Sequence, residues 1–155
     1  AVRAITDAGI PGMGHGGLTP QTTGLTEGFK VQGRALDAAR RILDDALALE
    51  KAGVFAVVLE AIPSALARVI TDRLTVPTIG IGAGPDCDGQ VLVTHDLLGF
   101  FDRFAPKFTK RYADLATVIG DAVGQFREEV IERRFPGPAH AFSIDEETER
   151  ALLEE

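Results

Sequence analysis

The chain has little cysteine, no basic excess and no long apolar run, and each absence excludes something. Its single cysteine, Cys87, excludes an intrachain disulfide and a cysteine-built metal cluster. Lys and Arg total 16 against 23 Asp and Glu, a net charge of −7. Nucleic-acid binders present a net basic face, so nucleic acid is not an expected partner. No apolar stretch approaches the ~20 residues that a membrane span needs. The first residues, Ala1-Val2-Arg3-Ala4-Ile5, lack the basic-then-apolar pattern of a signal peptide. The cytoplasm is the expected compartment. No initiator Met opens the chain, which reads as cut from something longer.

What is present is an apolar-rich sequence with a repeating order. Ala1–Ala8 reads as a helix end stopped by Gly9. Ile10-Pro11-Gly12-Met13-Gly14 is a short apolar run, and a Gly-rich loop follows to about Gly33. Leu36, Ala39, Leu43, Ala46, Leu47 and Glu50 fall at helical spacing, so a helix is expected from Leu36 to Ala52, with Asp44 and Asp45 facing out. Val54–Leu59 is nearly continuous apolar sequence, expected to be a strand buried on both faces. Pro63-Ser64 opens a helix to about Arg73. Pro77–Gly82 is a third strand, Gly82–Gly89 a loop, and Val91-Leu92-Val93 a fourth strand. A long helix is expected from Tyr112 to Arg134, and Pro136-Gly137-Pro138 breaks it. The tail from Ile144 holds six acids and one Arg, which suits a short surface helix or a frayed end.

Strand–helix alternation means a parallel sheet with crossover connections. A doubly wound sheet and part of a (β/α)8 barrel both fit. A whole barrel needs roughly 250 residues, so as a barrel this chain is half of one, with open sheet edges.

In such folds chemistry sits at the C-terminal ends of strands. Glu60 ends the apolar run Val54–Leu59 there. A carboxylate in that place is costly unless it has a partner or a task, and partial desolvation suits a general acid or base. The bland alternative is an exposed Glu at a helix start. His15 lies among Gly14, Gly16 and Gly17, which let a ligand approach the backbone closely; it could hydrogen-bond a carboxylate or carbonyl, or serve only the loop. His95-Asp96 is weaker, because Asp96 suits an N-cap for a turn at Leu97. His140 lies in the tail. Gly80, Gly82 and Gly84 alternate, with Pro85 and a strand following, unlike a dinucleotide fingerprint. They leave room for a bulky ligand or for barrel layers. Asp86 and Asp88 around Cys87 make a poor metal site. The basic cluster Arg103, Lys107, Lys110 and Arg111 suits a solvated face better than an anion contact.

Five segments carry a family resemblance. They are Gly14-His15-x-Gly17-Leu18-Thr19-Pro20-Gln21, Val31-Gln32-Gly33-Arg34, Val58-Leu59-Glu60-Ala61-x-Pro63, Pro77-Thr78-Ile79-Gly80-Ile81-Gly82-Ala83-Gly84, and Asp88-Gly89-Gln90-Val91-Leu92-Val93-x-His95-Asp96. In order and spacing they resemble the ketopantoate hydroxymethyltransferase family, as do Pro106-Lys107-Phe108, Phe135-Pro136-Gly137 and His140-x-Phe142. The resemblance implies a (β/α)8 TIM barrel of the phosphoenolpyruvate-binding barrel superfamily, of which this chain supplies the last four βα units and the C-terminal helices. Residues 1–142 would then be the C-terminal half of one barrel domain, and 143–155 an acidic tail.

The implied reaction moves a one-carbon unit from 5,10-methylenetetrahydrofolate to 3-methyl-2-oxobutanoate, giving ketopantoate for coenzyme A synthesis. The resemblance also implies Mg2+, a decamer, Glu60 as the proton acceptor and His15 beside the keto acid. The family's metal ligands and substrate-binding Lys lie on earlier strands, and no segment here matches them. Gly12 and Gly16 replace apolar residues, Ala141 replaces a Ser, and Ile144–Glu155 runs past the usual end. A half-barrel fragment or degenerate paralogue without catalysis is the main alternative. Another 2-oxo acid enzyme of the superfamily is the other.

Overall fold

The computed structural model describes residues 1–19, 30–101 and 106–154. The elements are α1 (Val2–Asp7), β1 (Met13–Gly17), α2 (Leu36–Lys51), β2 (Ala56–Glu60), α3 (Ser64–Arg73), β3 (Thr78–Ile81), β4 (Gly89–Gln90), α4 (Thr94–Leu98), α5 (Leu115–Ile131) and α6 (Glu146–Leu153), with a 3-10 turn at Pro138–His140. The four strands pair in parallel in the order β1-β2-β3-β4. A doubly wound sheet reverses its strand order at a switch point; this one does not, and its winding is compatible with part of a (β/α)8 barrel.

One face of the sheet packs against α2 and α3. Val57 and Leu59 are fully buried. They form the core with Ala46 of α2 and Ala67 and Ile70 of α3. A Cβ on Gly14 would lie 3.0 Å from Leu49 Cδ1, so a larger residue would crowd the Leu49 side chain of α2. The opposite face carries Met13, His15, Val58, Glu60 and Ile79, in register as His15↔Val58, Gly17↔Glu60 and Val58↔Ile79. Val58 is only half-buried there. The strand expected to be buried on both faces is fully buried on the helix side and only in part on the other, where Ala56 is 3% exposed but Val58 and Glu60 are half-buried.

Carboxylates tie down the N-terminal ends of the strands. Glu50 accepts from Thr75 N at 2.6 Å, Thr75 Oγ1 at 2.9 Å and Val76 N at 3.1 Å. Asp88 accepts from Thr78 N at 2.8 Å and Thr78 Oγ1 at 3.1 Å, and that buried hydroxyl also meets Thr71 Oγ1 at 2.8 Å. Hydrogen bonds from Thr75 hold the Glu50 carboxyl below its ordinary value, and those from Thr78 do the same for Asp88. Asp88 thus fastens the start of β3.

Several sequence expectations need moving. The first strand is Met13–Gly17 and not Ile10–Gly14, so His15 lies in the strand and not in a loop after it. Pairing with β2, not the weak strand propensity of Met-Gly-His-Gly-Gly, makes it a strand. The fourth strand is Gly89–Gln90; Val91 continues with one bond to Gly80 O, but Val93 already caps α4 and is 52% exposed. β-branched residues misplaced that strand because the helix start claimed Val93. His95 and Asp96 therefore stand in α4, and Asp96 is in its first turn, not its N-cap. The long helix is shorter than Tyr112–Arg134: Tyr112 N is held by Leu97 O, and Arg133 ends the helix with φ +57°. The tail does form a short exposed helix, α6, capped by Asp145 accepting from Thr148 N at 2.9 Å.

Two outcomes follow. Leu59→Ala should cost about 2–5 kcal/mol in denaturant unfolding, as a fully buried Leu with little room to collapse. Glu50 and Asp88 have depressed folded values, so their stabilisation is present above the unfolded carboxylate value, about 4, and is lost as pH falls through the folded one. The melting temperature should fall on acidification below about pH 4, and by less in Asp88→Asn.

Candidate active site

β1 and β2 deliver the two residues singled out separately in the sequence to one place. Parallel pairing puts His15 beside Val58, and two residues on Glu60 faces the same way. His15 Nε2 lies 3.0 Å from Glu60 Oε2, with the side chains 34% and 15% exposed. An ionised carboxylate only accepts, so Nε2 carries the proton in this contact. When the imidazole is neutral, its Nδ1 is left as an acceptor. The pair sits at the C-terminal end of the strands, half in water, where a small ligand could reach it.

The backbone around Glu60 is tightly set. Its carbonyl accepts Leu18 N at 2.9 Å, and Ala61 N donates to Ile81 O at 2.9 Å. Gly17 has φ +86°, and a Cβ there would run into the Glu60 carbonyl, so this close approach requires glycine. Gln32 N donates to Ala61 O at 2.8 Å, which docks the Val31–Gly33 segment on the strand end. Sequence reasoning missed Ala61 and the use of Gln32; the quoted motifs contain both, but spacing alone does not show that they touch.

The other candidates stand elsewhere. His95 packs its ring on Phe100, 5.4 Å between centroids, and His140 on Phe135 at 5.0 Å. The space expected beside Gly82 is filled: a Cβ there would lie 2.7 Å from the Phe108 ring, and one on Gly84 would meet Ser64. These glycines therefore permit packing of protein on protein. In the basic cluster, Lys110 lies over the Tyr112 ring at 4.8 Å and Arg111 bonds Phe101 O at 2.7 Å. Arg103 falls outside the described residues, as do Pro20 and Gln21. Among the described residues no group of three or more His, Cys, Asp or Glu could hold a metal ion, and no helix is long and apolar enough to cross a membrane.

Residues 1–138 match the model of the ketopantoate hydroxymethyltransferase family. The chain belongs to that family. It is 58% identical over 146 residues to a 3-methyl-2-oxobutanoate hydroxymethyltransferase of Heliobacterium modesticaldum, covering 94% of this chain and 53% of the relative. A Moorella thermoacetica protein of the same description is 60% identical over 141 residues, covering 91% and 52%. A third, from Nitratidesulfovibrio vulgaris, is 57% identical over 145 residues, covering 94% and 47%. The chain thus spans about half the length of the curated relatives it matches.

The contact itself is measurable. With neutral imidazole, long-range proton–nitrogen spectra should show His15 protonated on Nε2, and Glu60→Ala should release that preference. A His15 signal indifferent to Glu60 would contradict the geometry.

Proposed function

We propose that this chain supplies the proton-transfer half of a 3-methyl-2-oxobutanoate hydroxymethyltransferase of the (β/α)8, phosphoenolpyruvate-binding barrel type. The observation that carries the reading is the Glu60–His15 contact at 3.0 Å, at the strand ends of a chain of this family. Glu60 takes the proton from C3 of the 2-oxo acid, which is acidified by the neighbouring carbonyl. A positioned carboxylate contributes about 10²–10⁴-fold to such a step. C3 then forms a bond to the one-carbon unit of 5,10-methylenetetrahydrofolate; tetrahydrofolate leaves, and water supplies the new hydroxyl. His15 keeps the carboxylate in place through Nε2. It reaches the keto acid by changing rotamer or by sharing that proton.

The family resemblance implies Mg2+, but the residues described here do not fit it. Glu60 is engaged with His15, and Asp88 with Thr78. No step is assigned to a metal on this chain; its ligands would belong to the other part of the enzyme. The complete enzyme works as a homo-oligomer, a decamer by resemblance, in the cytoplasm.

Surface apolarity supports a need for more protein. Met13 is 49% exposed and Val91 45%, and along α5 Ile119, Val123, Phe126 and Val130 form one exposed stripe.

Within a complete enzyme, Glu60→Gln should keep the fold and lower kcat by about 10²–10⁴-fold, since Gln has the shape but not the basicity. Wild-type kcat in that variant would remove Glu60 from the chemistry. The 155 residues alone should give no product with saturating Mg2+, keto acid and folate donor, and light scattering should show self-association. Turnover by the chain alone would place a whole site in these four strands.

A further inference from the structure

Ala61 is the unusual residue beside the proposed base. Its φ is +49°, in the left-handed region that non-glycine residues rarely adopt. Among the described residues only Arg133 shares this feature, at φ +57°. Arg133 has an ordinary reason, because helices commonly end on a left-handed residue. Ala61 follows a strand, is 6% exposed, and has no helix to end. A left-handed Ala persists only where its surroundings dictate it.

The surroundings do dictate it. Ala61 N is tied to Ile81 O at 2.9 Å, extending the ladder to β3, and Ala61 O receives Gln32 N at 2.8 Å. Just before it, Glu60 O is held by Leu18 N at 2.9 Å. Three neighbouring segments thus fix consecutive backbone groups. The consequence falls on Glu60. With Ala61 left-handed, the chain leaves the sheet within one residue and passes to buried Ile62 and the start of α3. An extended residue 61 would carry the strand onward and turn the Ala61 carbonyl away from Gln32 N. The reversal makes Glu60 the last side chain of the inner row, beside His15 at 3.0 Å.

We propose that Ala61 is a positioning residue for the reaction: its left-handed backbone, locked by Ile81 and Gln32, holds the Glu60 carboxylate against His15. This rests on Glu60 being the base. The strain is then structural energy held beside the reacting group, as it is at other sites where geometry must be narrow.

The test uses Ala61→Asn and Ala61→Val. The two introduced side chains are similar in size, but Asn tolerates the left-handed region and β-branched Val does not. Ala61→Gly is the unstrained control. Two readouts are taken: the His15 nitrogen signal in the 155-residue chain, and kcat and KM in the complete enzyme carrying the same substitution. The expected result is that Ala61→Gly and Ala61→Asn keep the Nε2-protonated signal and kcat within about threefold. Ala61→Val should lose the signal and lower kcat per folded enzyme at least tenfold, with KM for the keto acid changed less than threefold. Equal loss in Ala61→Asn and Ala61→Val would show that bulk at this position matters and not backbone conformation, overturning the proposal. So would a folded Ala61→Val with an intact signal. If Ala61→Val does not fold, loss of the signal in Ala61→Gly overturns it as well, and its retention together with that in Ala61→Asn supports it. Should Glu60→Gln retain full kcat, the functional reading fails, whatever the His15 signal does in the Ala61 variants.

Discussion

The parallel pairing of β1 with β2 is the constraint on which the rest depends. It sets Gly17 against Glu60 and His15 against Val58. Because side chains alternate, a slip of one residue would send His15 to the helix side and Glu60 out of its reach. The register is favoured from the helix side: Gly14 fits under Leu49, and a larger side chain there would crowd Leu49. Gly17, with φ +86°, enforces it from the other end by allowing the Glu60 carbonyl close. A strand made of Met-Gly-His-Gly-Gly has weak propensity of its own. Its partner strand and α2 supply what its sequence lacks.

Structural fastening and the candidate site are divided along the strands. At the N-terminal ends, Glu50 and Asp88 hold backbone amides and hydroxyls of Thr75, Val76 and Thr78. At the C-terminal ends, Glu60 meets a titratable partner and partial solvent instead. All three are carboxylates following apolar or small residues, so residue type alone does not tell a fastening from a candidate base. The difference lies in the partners. Thr75 and Thr78 present fixed donors, which favour a permanent anion. His15 instead offers a single ring N–H, 3.0 Å from Glu60 Oε2 and partly open to solvent.

Much of the site was legible. Glu60 stands out because an acid after six apolar residues needs a reason, and His15 because glycines clear the space around it. The strand–helix alternation also held, with α2 and α3 close to their expected bounds. The places that moved are instructive. Val91 and Val93 have strand propensity, yet α4 begins at Thr94 and takes Val93 as its cap. The alternating glycines at 80, 82 and 84 left room for a ligand or for packing, and Phe108 and Ser64 fill the space beside Gly82 and Gly84. Those contacts come from segments distant in sequence, which no local pattern encodes.

By itself, the sequence determined the parallel αβ class, the family and the two residues of the candidate site. It did so because burial and periodicity are local properties and because the motifs keep their order. Only the tertiary structure decided that His15 and Glu60 touch, that β1 begins three residues later than its apolar run, and that Ala61 takes a left-handed backbone. Each of these follows from strand register and from hydrogen bonds between segments far apart in the chain. Whether a residue's φ is positive depends on which neighbours capture its N–H and C=O; for Ala61 these are Ile81 and Gln32, 20 and 29 positions away.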